Sequence, residues 1–140
     1  MSLQSENGGM MAVALTQRLL AAIPSLSAVY LFGSLAQGTA GPESDVDIAI
    51  LADQAPDAVG LWSLANDLAD VAGCPVDLVD LRAASTVMQY QIITTGKRLW
   101  ERDSQAALYE SFILSEKTAL DEARAGLIAD IGREGRIYGR

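Results

Sequence analysis

The chain has 140 residues, half of them apolar, which is enough for one domain with a real core, and no apolar run approaches the ~20 residues that span a bilayer. Eighteen acidic residues face ten basic ones, for a formal charge of −8, too few cations in too thin a spread to neutralise a nucleic-acid backbone, so polymerisation on DNA or RNA is not expected. The absence of histidine removes His general bases, His metal ligands and every Ser-His-Asp arrangement.

Residues 1–9 are polar and Gly-bearing, without the basic flank and apolar centre of a signal peptide. They read as a disordered or appended tail before a single domain over 10–140, and the cytoplasm is the expected location. Met10 to Ile23 reads as a helix with Val13, Leu15, Leu19, Leu20 and Ile23 on a broad apolar face, closed by Pro24. Ser25 to Phe32 is a strand, apolar on both faces near its end and therefore central in its sheet. Ser34 to Gln37 forms a turn or so of helix. Gly38, Gly41 and Pro42 then make a loop that carries Asp45 back beside Gly33.

Asp45 to Ala52 is a second strand, and it opens with two carboxylates. Alternate residues of a strand point the same way, so Asp45 and Asp47 share a face. Side-by-side carboxylates repel unless a cation lies between them, which points to a hard divalent ion, Mg²⁺ above all. Gly33 lets the backbone approach a ligand closely, and the N–H groups that open a helix favour phosphate. A phosphate cradle beside metal-binding carboxylates reads as nucleotide chemistry.

Asp53 to Pro56 turns the chain, with Pro56 suited to the first turn of a helix from Asp57 to Ala72 that ends at Gly73. The stripe of Val59, Trp62, Leu64, Ala65, Leu68 and Val71 assigns Trp62 to the core. Cys74, the single cysteine, suits a small buried apolar role. Pro75 to Leu81 is the third strand, where Asp77 and Asp80 have opposite parity, so only one can face the first carboxylate pair. Asp77, between Val76 and Leu78, would be costly to bury without a cation, whereas Asp80 near the strand end can reach solvent or cap the next turn. Ser85 caps a helix from Thr86 to Thr95 that stops at Gly96. Lys97 to Trp100 is an edge strand, and Lys97 or Arg98 either reaches a phosphate or stands as an exposed charge beside that edge. A long helix from Asp103 or Ser104 to about Ile131 packs on the sheet or faces another chain, and 132–140 is loose.

Gly33-Ser34, then ten residues, then Asp45-x-Asp47, set between two apolar strands, resembles the signature of the DNA polymerase β-like nucleotidyltransferase superfamily. At this length the chain is most similar to the minimal nucleotidyltransferase (MNT) proteins. The motif covers 15 residues, and the matching order of elements runs from about Val29 to Trp100. The resemblance implies an α/β (α+β) fold of the polymerase β-like kind, a small mixed sheet flanked by helices. It implies that Asp45 and Asp47 hold Mg²⁺, as two ions about 3.5–4 Å apart. It also implies a third carboxylate on the next strand, better matched by Asp77 than by Asp80, which completes the second metal site or serves as general base. The Gly33 backbone and the Ser34 hydroxyl would grip the outer phosphates of ATP; a helix N-cap is a second role that Ser34 can fill at once. Many relatives carry Arg where this chain has Gln37, so one cationic contact to the nucleotide is missing here.

Small MNT proteins of this form are similar to the antitoxin halves of bacterial HEPN/MNT toxin–antitoxin pairs. The resemblance therefore implies a Mg²⁺-dependent protein adenylyltransferase that moves AMP from ATP onto a tyrosine of a HEPN toxin. Two other readings stand beside it. One is a small-molecule nucleotidyltransferase of the aminoglycoside-modifying kind, whose acceptor domain this chain lacks. The other is a binding module that silences a partner by contact alone through the long last helix. No residue of the motif selects the nucleotide base.

Overall fold

The computed structural model describes residues 6–38 and 45–133. Helix α1 (Glu6–Ala22) leads into strand β1 (Leu26–Phe32) and the one-turn helix α2 (Ser34–Gln37). Strand β2 (Val46–Ala52), helix α3 (Ala58–Ala72) and strand β3 (Val76–Asp80) come next. A 3₁₀ turn (Leu81–Ala83), helix α4 (Thr86–Thr95), strand β4 (Lys97–Glu101) and the long helix α5 (Gln105–Arg133) complete the described chain. The sheet order is β3-β2-β1-β4. β1 runs antiparallel to both neighbours, while β2 and β3 are parallel with α3 as their crossover. The mixed α/β sheet flanked by helices is the architecture that the motif implied, and β1 is central, as its two apolar faces required.

The alternation of the strands sorts the core into two layers. Val29 and Leu31 of β1, Ile48 and Ile50 of β2 and Leu78 of β3 point to one side, where Leu15 and Leu19 of α1 and Leu64 and Leu68 of α3 meet them. Ala28 and Tyr30 of β1 and Ala49 and Leu51 of β2 point to the other, under Ile92 of α4 and Ala106 and Ile113 of α5. Helix ends obey local chemistry: Asp57 accepts from the Gly60 N–H at 2.8 Å to start α3, and Ser85 accepts from the Met88 N–H at 3.1 Å to start α4. Gly96 holds α4 against the sheet, because a Cβ there would strike the Ile92 carbonyl and come within 2.7 Å of the Leu31 carbonyl. Tyr30, buried on the α5 side, donates to Glu110 at 2.7 Å, and Arg98 donates to the same carboxylate at 2.8 Å, so one network ties β1, β4 and α5.

Three expectations change. Helix α1 begins at Glu6, so residues 6–9 belong to it rather than to a tail. Once a helix is nucleated by its apolar turns, adding a residue costs little. Pro56 stands before the cap of α3 and not in its first turn, since Asp57 is the cap. Trp62 is 70% exposed, and Val59 beside it 75%. The buried line of α3 runs through Leu64 and Leu68, and Trp62 lies two residues, or about 200°, round the helix from Leu64. The remainder of the expected loop at Gly41 and Pro42, and residues 134–140, lie outside the described residues. Cys74 is half-buried and packs against the α1–α3 core.

Candidate active site

One end of the sheet gathers the motif. β1 ends there, β2 and β3 begin there, and their registers pair Phe32 with Asp47 and Asp47 with Asp77. Directly paired residues share a face, so Phe32, Asp47 and Asp77 form a row across three strands, with neighbouring strands about 4.8 Å apart. Asp45 precedes β2 by one residue and keeps the parity of Asp47. This row lies on the α4–α5 side of the sheet, where Phe32 packs against the apolar layer of Ile92 and Ile113 and the carboxylates Asp47 and Asp77 lie outside that layer.

Asp47 is half-buried and the other two carboxylates are exposed. Burial pushes the Asp47 carboxyl above the usual aspartate range, and the charges of Asp77 and then Asp45 push it further the same way. The three groups thus feel one another electrostatically. Arginine and lysine side chains satisfy other carboxylates, in pairs such as Arg82–Asp53, Arg98–Glu110 and Lys117–Asp121, and among the described residues none reaches Asp45, Asp47 or Asp77. Among those residues, no three acidic or cysteine side chains converge into a ready-made cation cage. The row is open and uncompensated.

Gly33 explains why the two halves of the motif travel together. It caps α2 with φ 76° and ψ −156°, a conformation that is almost confined to glycine. A Cβ at this position would collide with Asp47 Oδ2. The backbone turn at the end of β1 therefore closes directly onto the carboxylate of β2. Ser34 is the first residue of α2 rather than its cap, which is Gly33. Gln37 ends α2, and its side chain lies outside the described residues.

Sequence parity separates the third carboxylates as observed. Asp77 pairs with Asp47, while Asp80 pairs with Ile50 at the far end and accepts from the Arg82 N–H at 3.1 Å. Asp77 is exposed, so the expected burial cost does not arise: β3 is an edge strand of the sheet. Neither cation of β4 reaches the row. Arg98 is engaged by Glu110 and, at 3.6 Å, by Glu101, and Lys97 pairs with Leu31, on the face turned away from the carboxylates.

Sequence reading did not single out the wall of the site. A pocket of about 300 Å³ opens beside Gly33, lined by Phe32, Gly33 and, from α4, Met88, Gln91, Ile92 and Thr95. The α4 residues recur at i, i+3, i+4 and i+7, one helical face, a signal that also describes any core-facing helix.

Known proteins share this fold. Residues 16–105 match the family model described as polymerase beta, nucleotidyltransferase. The protein adenylyltransferase MntA of Shewanella oneidensis is 43% identical over 109 residues, 78% of each chain. A crystal structure of a toxin–antitoxin with AMP-PNP contains a chain similar to this one, with 40% identity and a TM-score of 0.77, covering 86% of this chain and 97% of that one. A structure of a tri-AMPylated HEPN toxin of Shewanella oneidensis in complex with its MNT antitoxin matches at 36% identity and a TM-score of 0.73, covering 88% and 97%.

Proposed function

We propose, because the chain belongs to the polymerase β-type nucleotidyltransferase family, that it transfers AMP from ATP to a tyrosine hydroxyl of a HEPN toxin and so acts as an antitoxin. The observation that carries this reading is the uncompensated row of Asp45, Asp47 and Asp77 beside the Gly33 turn, in a chain 43% identical to a protein adenylyltransferase. The acceptor oxygen attacks the α-phosphorus. A new P–O bond forms as the bond to the β-phosphate's bridging oxygen breaks, and pyrophosphate leaves with the electron pair.

The residues take distinct parts. Asp45 and Asp47 offer hard oxygen ligands with no cation from the described residues against them, and a divalent ion would offset the burial and the neighbouring charges that raise the Asp47 carboxyl, so the donor set fits Mg²⁺. When bound, Mg²⁺ neutralises the triphosphate and lowers the pKa of the attacking hydroxyl. Asp77, exposed on the edge strand, lies where a large acceptor can approach, and it takes the hydroxyl proton. The Gly33 turn and the Ser34 hydroxyl hold the outer phosphates. A partner protein supplies the acceptor surface in this reading, and the cytoplasm is its setting. No helix among the described residues is long and apolar enough to cross a membrane.

The test mixes the protein with Mg²⁺, ATP labelled at the α-phosphate and the product of the neighbouring gene. Label on a partner tyrosine, absent with the Asp45→Ala/Asp47→Ala double variant, is the expected result. A partner that is bound and inhibited but never labelled would sink the reading and leave contact-only neutralisation.

A further inference from the structure

The pocket beside Gly33 has a polarity that matches one ligand. Phe32, Met88 and Ile92 make its walls apolar, as flat aromatic rings require, and at about 300 Å³ it has room for a purine. Two polar side chains line it. The Thr95 hydroxyl donates its proton to the Gln91 carbonyl of its own helix at 2.6 Å. The Gln91 carboxamide has no hydrogen-bond partner among the described residues and is exposed. It is thus a donor and an acceptor side by side at the edge of an apolar slot.

Position in the sheet supplies the second argument. The row across the strands runs Asp77, Asp47, Phe32, and the pocket begins at Phe32, at the end away from Asp77. A nucleotide whose phosphates lie at Gly33 and Asp47 can place its base under α4 while the Asp77 flank stays open. We infer that the pocket between Phe32–Gly33 and α4 seats the nucleobase, and that the Gln91 carboxamide reads its edge and selects adenine, Gln91 being a specificity-determining residue. A glutamine amide pairs with adenine as N6 donor and N7 acceptor together, whereas guanine presents O6 and N7, two acceptors, to the same atoms. The inference rests on the nucleotidyl-transfer reading above and adds the orientation of the substrate: base toward α4, acceptor entering over β3.

Calorimetry of the full chain with Mg²⁺ and either ATP or GTP tests it, using the wild type, Gln91→Leu and Gln91→Arg. Thermal melts check that each variant is folded, as substitutions at an exposed helix position should be. Wild type should bind ATP about tenfold or more tighter than GTP, which is the scale of one bidentate base contact. Gln91→Leu should bring the two nucleotides within about threefold, and Gln91→Arg should shift the ratio toward GTP, because a guanidinium donates to both O6 and N7. An ATP:GTP ratio that neither variant moves, or a wild type indifferent to the base, overturns the assignment. A Gln91-dependent preference for ATP without label on any partner would uphold it and overturn the proposed acceptor. Labelling of the partner with a ratio blind to Gln91 would do the reverse, and failure to bind either nucleotide would overturn both.

Discussion

The two faces of the sheet are made by alternate residues of the same strands, yet they meet opposite fates. On one, Ile48 and Ile50 of β2 are sealed by Leu15, Leu19, Leu64 and Leu68. On the other, cover by α4 and α5 extends over Ala49 and Leu51 and stops short of Asp47. One residue of register therefore divides stability from chemistry: Ile48 helps hold the fold, and Asp47 beside it is held by the fold at an electrostatic cost. A site of this kind is stable because its neighbours are, and not through its own contacts.

Substitutions on the two faces should separate these roles most sharply. Leu68→Ala, at a fully buried position under the sheet, should cost about 2–5 kcal/mol of unfolding free energy. Asp47→Asn keeps the shape and removes a crowded charge, so the melting temperature should hold or rise. Adenylyl transfer should fall on the order of 10³-fold, the value of several kcal/mol of metal-assisted charge stabilisation. Parallel melts and transfer rates check both. If Asp47→Asn melted well below the wild type, the carboxylate would be a structural group and the contrast between the faces would fail.

Gly33 joins stability and chemistry at one residue, and substitution there should have a smaller effect. Gly33→Ala forces a side chain into φ 76° and against Asp47 Oδ2, which should destabilise by about 1–3 kcal/mol and displace the carboxylate. Denaturant midpoints and transfer rates should therefore fall together for this variant, in contrast to Asp47→Asn. Loss of stability alone, with the rate intact in the folded fraction, would show that the carboxylate does not depend on the turn.

The pH dependence of stability should be weaker still and of unusual sign. The folded-state Asp47 carboxyl sits above its ordinary value of 3.8, raised by burial and then by Asp77 and Asp45. The native state therefore holds this proton more tightly than the unfolded chain. Its contribution is fully present below 3.8 and is lost as pH rises through the elevated folded value. Groups common to both proteins cancel in the difference between wild type and Asp47→Asn, which is the informative quantity. In metal-free buffer the wild type should lose stability relative to the variant as pH rises through that window, and Mg²⁺ should restore it at neutral pH. A difference independent of pH would mean that neither burial nor the neighbouring carboxylates raise Asp47.

Features legible in the sequence and features hidden in it divide along physical lines. Period-two alternation and explicit turn chemistry placed all four strands, the cap at Ser85, and Asp77 and Asp80 on opposite faces, because each depends on neighbours in the chain or on parity. The collision between Gly33 and Asp47 could not be read, since it depends on the antiparallel return of β2 beside β1. The α4 wall was equally hidden: Met88, Gln91 and Thr95 become a pocket only when Gly96 seats that helix against β1. Arg98 offered a phosphate contact until the structure joined it to Glu110, twelve residues away.

Trp62 is the instructive misreading and sets the smallest expected effect. A tryptophan among leucines at helical spacing suggests core, but the angle from Leu64 puts it on the far side of α3, 70% exposed, with Val59 nearby. Removal from such a position gives up little buried area, so Trp62→Ser should change stability by no more than about 0.5 kcal/mol. The carboxylate row belongs to the opposite side of the sheet from α3, so transfer of AMP should also be unaltered. A destabilisation on the scale of Leu68→Ala would restore Trp62 to the core and would mean that α3 is rotated from the orientation described. An unchanged melt with weakened binding of the toxin would instead make the outer surface of α3 part of the complex, and the far layer would then contribute to function as well as to stability.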